Sequence, residues 1–109
     1  MKTMEDLHFT YNWNNKLDCK AFTTIRIYNE GKHVPGVKLR IMLKRTENKG
    51  IGMIADVRPF LLQNMNPFIS FLDTGYPVEQ CKNIFLKMYP KIDFTKKKLA
   101  LILIVKEWT

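Results

Sequence analysis

The chain has 109 residues, of which 46% are hydrophobic and 12% aromatic, so it can form one hydrophobic core and has no room for a second. Its 18 Lys and Arg against 10 Asp and Glu give a net charge of +8, which either attracts polyanions such as RNA or only keeps a small domain in solution. Two cysteines outside any CxxC pair predict reduced thiols, and an acidic N-terminus with no long apolar run predicts a cytoplasmic protein without a membrane segment.

The first half of the chain has the residue patterns of β-strands. Alternation over residues 7–11 predicts a first strand, and the Asn-rich segment 12–20 predicts a loop or a single helical turn. β-Branched and aromatic residues predict a second strand over 22–28. Residues 37–44 alternate again and predict a half-exposed strand, and a turn at residues 47–50 leads from it into a hairpin partner over 51–58.

Two helices and a strand are predicted for the second half. Asn66 is a good N-cap and Pro67 suits a first helical position, so a helix begins here and ends near Gly75. A second helix lies between Pro77 and Pro90, with apolar residues at helical spacing: Val78, Cys81, Phe85 and Met88. The unbroken aliphatic run in 99–106 predicts a last strand that is buried on both faces.

These elements predict a single α+β domain over residues 1–109. Its core is an antiparallel or mixed barrel of about five to six strands, with two helices inserted before the last strand. No helix fits between residues 22 and 58, which excludes a doubly wound parallel sheet. His8 and His33 lie near no Cys or acid at ligand spacing, and phosphate-binding and dinucleotide motifs are missing, so we expect neither a metal nor a cofactor.

The segment Phe22-Thr23-Thr24-Ile25-Arg26 is the strongest candidate for a functional site. Alternate side chains of a strand point to opposite faces, with Phe22, Thr24 and Arg26 on one and Thr23, Ile25 and Ile27 on the other. An Arg on this face requires a partner if it is buried. Arg26 therefore either opens into a cleft that holds an anionic ligand, or pairs with a carboxylate such as Asp56 or Asp73.

The order of motifs along the chain resembles that of a known family. Lys20 and Thr24-Ile25-Arg26 are followed by a turn at Gly36, by Tyr89-Pro90 at a helix end and by a closing strand. This order, over about residues 7 to 106, is similar to that of ASCH domains, a PUA-like β-barrel family linked to RNA. The resemblance implies a PUA-like barrel that binds RNA or a modified nucleoside in a cleft around Thr24 and Arg26.

Some ASCH domains remove an acyl group from the exocyclic amine of cytidine with a Lys, a Thr and a Glu. Thr24 matches the family Thr, whereas Ala21 stands at the Lys position and Lys20 precedes it. Asp73, one methylene shorter, stands near the expected Glu. The resemblance therefore implies a second hypothesis, an amidohydrolase with Thr24 as nucleophile, Lys20 as base and Asp73 as acid, in which the Lys needs a lowered pKa.

Under the binding hypothesis, Arg26 and Lys20 meet a phosphate or a base edge. Trp13 in the preceding loop stacks on a base, and Phe22 is a further ligand-binding residue. The alternative role for such aromatic residues is packing in the core. A third hypothesis is a small protein-interaction module without catalysis, in which charges such as the Lys run 96–98 only form a solvated face.

Overall fold

A computed structural model describes residues 4–107 of the chain, with Trp13 and Asn14 described by their backbone alone. The strands are β1 (Glu5–Phe9), β2 (Ala21–Ile27), β3 (Lys38–Leu43), β4 (Glu47–Phe60) and β5 (Leu99–Lys106). The helices are α1 (Pro67–Thr74) and α2 (Val78–Met88), with short 3-10 helices at Trp13–Asp18 and Leu62–Asn64. The predicted α+β class, with two helices before the last strand, is confirmed.

The five strands form one curled, mixed sheet with the order β1-β3-β4-β5-β2. β1 pairs with β3 in parallel, and the other three neighbouring pairs are antiparallel. The curl makes the sheet a half-barrel and brings its two edge strands, β1 and β2, towards each other. Phe9 of β1 meets Phe22 of β2 edge to face there, with 5.8 Å between the ring centroids.

Each face of the sheet carries its own apolar cluster. The cluster inside the half-barrel contains Phe22 with Ile102 and Ile104 of β5. The cluster on the outer face lies between the sheet and α2, and contains Ile25 with Phe85. The predicted parity of β2 is confirmed, because Phe22 and Ile25 belong to opposite faces.

The boundaries of α1 follow from its caps. Asn66 Oδ1 accepts a hydrogen bond from the Ile69 amide at 2.9 Å, and Pro67 occupies the first turn. Gly75 ends the helix in the left-handed region at φ +81°. Both predicted ends are therefore confirmed. In α2 the predicted apolar residues Cys81 and Phe85 are buried and Val78 packs against them, whereas Met88 at the end of the helix is exposed.

Two local predictions are wrong. The β3–β4 turn lies at residues 44–46, where Lys44 and Arg45 adopt positive φ, and the predicted turn residues 47–50 already belong to β4. β5 is buried on both faces only in its first half, since Leu103 and Val105 are exposed beyond the part of the sheet that α2 covers. No helix within residues 4–107 combines the length and the apolar character needed to cross a bilayer.

Candidate functional site

A cluster of polar side chains lies where the edge strand β2 meets the first 3-10 helix and α1. It consists of Lys16, Thr23, Thr24, Arg26 and Asp73, hereafter the β2 polar cluster. Thr24, Lys16 and Asp73 are among the few polar or charged residues that the described part of the chain buries. Charged side chains are rarely buried unless they are paired, so this cluster needs an explanation.

Asp73 is the centre of one half of the cluster. Lys16 Nζ lies 3.2 Å from Asp73 Oδ1, and Thr23 Oγ1 donates to the same oxygen at 2.8 Å. The 3-10 helix holds Lys16 in place because the neighbouring Leu17 is fully buried. The amide of Leu17 donates to Asn12 Oδ1 at 2.9 Å, and Asn12 Nδ2 donates to Asp18 Oδ2 at 3.2 Å, so Asn12 connects the residue before the helix to its last turn.

Arg26 is the centre of the other half. Its Nε donates to Thr24 Oγ1 at 3.1 Å, and its Nη2 donates to the backbone oxygen of His8 at 2.8 Å. The guanidinium also lies over the Phe9 ring, 4.5 Å from the centroid. Arg26 therefore bridges the two edge strands of the half-barrel, β2 and β1.

No carboxylate within residues 4–107 lies at salt-bridge distance from Arg26. Asp56, one of the two expected partners, accepts from Arg58 Nε at 3.0 Å instead. Asp73, the other, binds Lys16 and acts on Arg26 only through its charge. The cluster thus combines two cations with a single carboxylate.

Burial dominates the electrostatics of the cluster. It lowers the pKa of Lys16 and raises the pKa of Asp73, against the attraction between the two groups. Burial also lowers the pKa of Arg26, while Tyr89 and Asp73 act in the opposite direction. Lys16 and Asp73 therefore hold their charges less firmly than they would in water, which is the property required of groups that exchange protons.

A cavity of about 340 Å³ opens between the two edge strands, hereafter the β1–β2 cleft. Its apolar side is formed by Leu39, Ile102 and Ile104, and its polar groups include Asp6, Arg26 and His33. His33 Nδ1 accepts from the Asn29 amide at 3.0 Å, and burial lowers the pKa of the ring with help from Arg26 and Lys32. Because Nδ1 accepts this hydrogen bond, the ring carries its proton on Nε2, so His33 and Arg26 both offer donors.

A second cavity of about 460 Å³, hereafter the α1 groove, lies on the other face of β2. Its walls include Phe60 and Leu101 on one side and Phe68 and Leu72 of α1 on the other. Thr23 also lines this groove, and its hydroxyl donates to Asp73. The β2 polar cluster consequently has a cavity on each side of the strand.

The structure brings together three of the predicted site residues. Thr24 and Arg26 are hydrogen-bonded to each other, and Asp73 joins them through the adjacent Thr23. Phe22 is buried against Phe9. The side chain of Trp13, predicted to stack on a base, lies outside the part of the chain that the structure describes.

Sequence reasoning missed Lys16, and it included Thr23 in the candidate segment without giving it a role. Lys20, the predicted base, is exposed just before the start of β2, whereas the lysine bound to Asp73 is Lys16. Thr23 lies on the opposite face of β2 from Thr24, and only the packing of α1 on that face reveals its role. A loop or a single helical turn is predicted over residues 12–20, but nothing in that pattern shows that Lys16 is the lysine that points inwards.

Within residues 4–107, no group of three or more His, Cys, Asp or Glu side chains could hold a metal ion. Comparison of the chain with protein-family models, with curated proteins and with solved structures finds no match. The resemblance to ASCH domains therefore stays a prediction. The function of the chain has to be inferred from the β2 polar cluster and from the two cavities beside it.

Proposed function

We propose that this chain is an ASCH-like domain of PUA-like type that binds a modified nucleoside, free or within RNA, in the β1–β2 cleft. The observation that carries the proposal is the position of Arg26. It is a cation that lines a cavity, and no carboxylate of residues 4–107 neutralises it. A phosphate or a base carbonyl would accept from guanidinium N–H groups other than the two that donate to Thr24 and to the backbone oxygen of His8.

The dimensions and the lining of the cleft support this ligand class. A volume of about 340 Å³ falls in the range of ligand pockets, roughly 300–1,000 Å³. The apolar side at Leu39 and Ile102 suits the face of a base. Arg26 and His33 offer donors. Asp6 Oδ1 accepts from Arg40 Nε at 2.7 Å, and the second oxygen of Asp6 offers an acceptor for an exocyclic amine or a ribose hydroxyl.

Titration calorimetry with acetylcytidine, cytidine and a short single-stranded RNA tests the proposal. Arg26→Met removes the charge and keeps most of the aliphatic stem, and Arg45→Met in the exposed β3–β4 turn is the matched control. A hydrogen bond to a charged group contributes about 1.5–3 kcal/mol, so we expect Arg26→Met to bind roughly ten- to a hundredfold more weakly. Arg45→Met should bind like the wild type.

Equal affinity of wild type and Arg26→Met would contradict the proposal, provided that circular dichroism shows both to be folded. Salt separates the two sources of the ligand. Binding of RNA through phosphates weakens steeply as salt rises, whereas binding of an uncharged nucleoside does not. No binding of any of the three ligands at low salt would also refute the proposal.

A second candidate function is the amidohydrolase, and the buried pair of Lys16 and Asp73 favours it. In the hypothesis formed from the sequence, Thr24 is the nucleophile, Lys20 the base and Asp73 the acid. The contacts support Lys16 in place of Lys20, because Lys16 is buried beside Asp73 and has a lowered pKa. The Arg26 hydrogen bond to Thr24 Oγ1 favours the deprotonated form of that hydroxyl, which supports Thr24 as nucleophile.

In this reaction the Thr24 oxygen would attack the acyl carbon, and neutral Lys16 would take the hydroxyl proton. The C–N bond would break as the Lys16 ammonium returns its proton to the leaving cytidine amine. Water would then attack the acyl-Thr24 ester, which would release the acyl group as a carboxylic acid and restore the Thr24 hydroxyl. Asp73 would position Lys16. Thr23 is the alternative nucleophile, since its hydroxyl contacts Asp73 directly.

Incubation with acetylcytidine, followed by chromatography for free cytidine, tests this second candidate. We expect Lys16→Met and Thr24→Ala to abolish release of cytidine, and Lys20→Met to retain it. If Thr23→Ala were inactive and Thr24→Ala active, the nucleophile would be Thr23. Absence of cytidine release by the wild type would refute the amidohydrolase, and the binding proposal would still have its own test.

A further inference from the structure

Helix α1 has its polar side chains towards the domain and most of its apolar side chains towards solvent. Its buried side chains are polar, namely Ser70, Asp73 and Thr74, although the half-buried Ile69 also packs against the outer apolar cluster. Its exposed side chains are apolar: Phe68 at 78%, Phe71 at 50% and Leu72 at 75% exposure. A helix on the surface of a globular domain normally shows the opposite arrangement, with its apolar stripe towards the core.

The stability of the isolated domain does not account for this arrangement. Exposed Phe68 and Leu72 add little to folding, because burial of apolar surface is what stabilises a fold. The buried Asp73 has lost its hydration. The inward face of α1 completes the β2 polar cluster, and the outward face needs a separate explanation. Exposed apolar patches of this kind mark interaction sites.

The α1 groove runs beside the exposed patch of Phe68, Phe71 and Leu72, so this surface is concave on one side. Phe68 and Leu72 belong to both the patch and the groove, and Phe60 and Leu101 form the opposite wall. Among the described residues that line the groove, Arg58 alone is charged. The groove is thus apolar with one cation at its edge. Arg58 Nε is paired with Asp56 at 3.0 Å, but the Arg58 side chain is 77% exposed and the chain carries a net charge of +8. The complementary ligand is therefore apolar and carries a carboxylate that shares Arg58 with Asp56.

We infer that the α1 groove docks a short apolar segment of a partner protein that carries an acidic side chain next to its apolar anchors. The anchors would lie between Phe68, Leu72 and Phe60, and the carboxylate would meet Arg58. This surface lies on the opposite face of β2 from the β1–β2 cleft. The inference therefore does not depend on the proposed nucleoside site.

Two other occupants fit the observations less well. Helices that lie on membranes are rich in Lys and Arg, whereas residues 59–81 contain neither. A second copy of this chain would bring two charges of +8 together. The exposed parts of Phe68, Phe71 and Leu72 amount to roughly 400 Å², about half of what each partner buries in a stable interface. A short segment needs no larger area.

Selection from two displayed peptide libraries tests the inference on the full chain. Both libraries hold short peptides with the same apolar positions, and one has Asp and Glu at the variable positions where the other has Lys and Arg. We expect enrichment from the acidic library alone. Selected peptides should bind about tenfold or more weakly to Phe68→Ser and to Arg58→Gln. Met88→Ser, on the exposed surface of α2, is the matched control and should bind normally.

Equal enrichment of basic peptides would overturn the inference, and so would peptides whose binding survives both Phe68→Ser and Arg58→Gln. Sedimentation that shows a dimer, lost in Phe68→Ser, would assign the patch to a second copy and also overturn it. Binding to vesicles of anionic phospholipid that is lost in Phe68→Ser would assign the patch to a membrane surface and would also overturn the inference. Far-ultraviolet circular dichroism of each variant shows that the fold is intact, as expected for changes at exposed positions.

Discussion

Replacing Lys16 by Met tests whether the buried ion pair acts as one coupled unit. Lys16 Nζ lies 3.2 Å from Asp73 Oδ1, and the two side chains are 10% and 5% exposed. Met keeps an apolar stem of similar length and removes the ammonium group, so Asp73 keeps the Thr23 hydroxyl but loses its cation. Removal of one partner of a buried pair typically costs about 3–5 kcal/mol.

We expect the lower end of that range, about 3 kcal/mol for Lys16→Met, because Asp73 can take up a proton. Asp73→Asn should cost about 2 kcal/mol, since an amide still accepts from Thr23. The double variant should also cost about 2 kcal/mol, which corresponds to a coupling free energy of about 3 kcal/mol. The exposed pair of Arg58 and Asp56, at 3.0 Å, is the control, and its coupling should not exceed about 1 kcal/mol.

The loss of stability should depend on pH in opposite directions for the two single variants. Lys16→Met removes the cation that lowers the pKa of Asp73, so the folded-state pKa rises further above its ordinary value. A group with a raised folded-state pKa binds its proton more tightly in the folded state than in the unfolded state. The loss of unfolding free energy in Lys16→Met, relative to the wild type, therefore becomes smaller as pH falls through that pKa. Asp73→Asn lowers the pKa of Lys16 further, and its deficit shrinks as pH rises through the lowered pKa towards 10.5.

Urea denaturation of the wild type, the two single variants and the double variant measures the coupling. The same series at acidic, neutral and alkaline pH measures the two opposite trends. A coupling free energy equal to that of the Arg58–Asp56 control would refute the argument. So would a deficit of Lys16→Met that does not change between neutral and acidic pH.

Three further predictions concern the core. Ser70 Oγ is buried without a hydrogen-bond partner within residues 4–107, so Ser70→Ala should leave the free energy of unfolding unchanged or raise it by up to about 1 kcal/mol, and a clear loss in urea denaturation would contradict this. A Cβ at Gly52 would lie 2.5 Å from Ile104 Cγ2 in the core, so Gly52→Ala should cost about 1–3 kcal/mol in the same assay, and a neutral result would show that the core yields there. Cys19 is exposed, while Cys81 is buried with its thiol pKa raised, so Ellman's reagent should titrate a single thiol in the folded protein and a second only in denaturant. Rapid reaction of both thiols would contradict the burial of Cys81.

The sequence predicted correctly those features that depend on local residue chemistry, namely the two ends of α1 and the alternation of side chains along β2. Asn66 and Gly75 end α1 correctly because a side-chain cap and a left-handed residue have few alternatives. The parity of β2 is also correct, since alternation follows from strand geometry. Strand parity alone predicted that Thr24 and Arg26 share a face with Phe22, and the structure shows that this is the inner face of the sheet.

Other features depend on tertiary packing, which the sequence pattern does not contain. Lys44 and Arg45 turn the chain at positive φ, although neither residue type favours that region. The turn was predicted at residues 47–50 because that segment contains Asn and Gly, which are common in turns. Nothing in the sequence distinguishes Lys16 from Lys20 as the partner of Asp73. The 3-10 helix packed beside α1 places Lys16 next to Asp73. The inverted pattern of α1 became visible only when its surroundings were known.

The central claim is that Arg26 binds a nucleoside ligand in the β1–β2 cleft, and nuclear magnetic resonance of the ¹⁵N-labelled chain tests it most directly. In a titration with acetylcytidine, we expect the side-chain Nε–H of Arg26 and the amides of His8 and His33 to shift together and to saturate. The amides of α1 should stay in place. Shifts confined to α1, or an Arg26 Nε–H signal that does not move at saturating ligand, would contradict the claim.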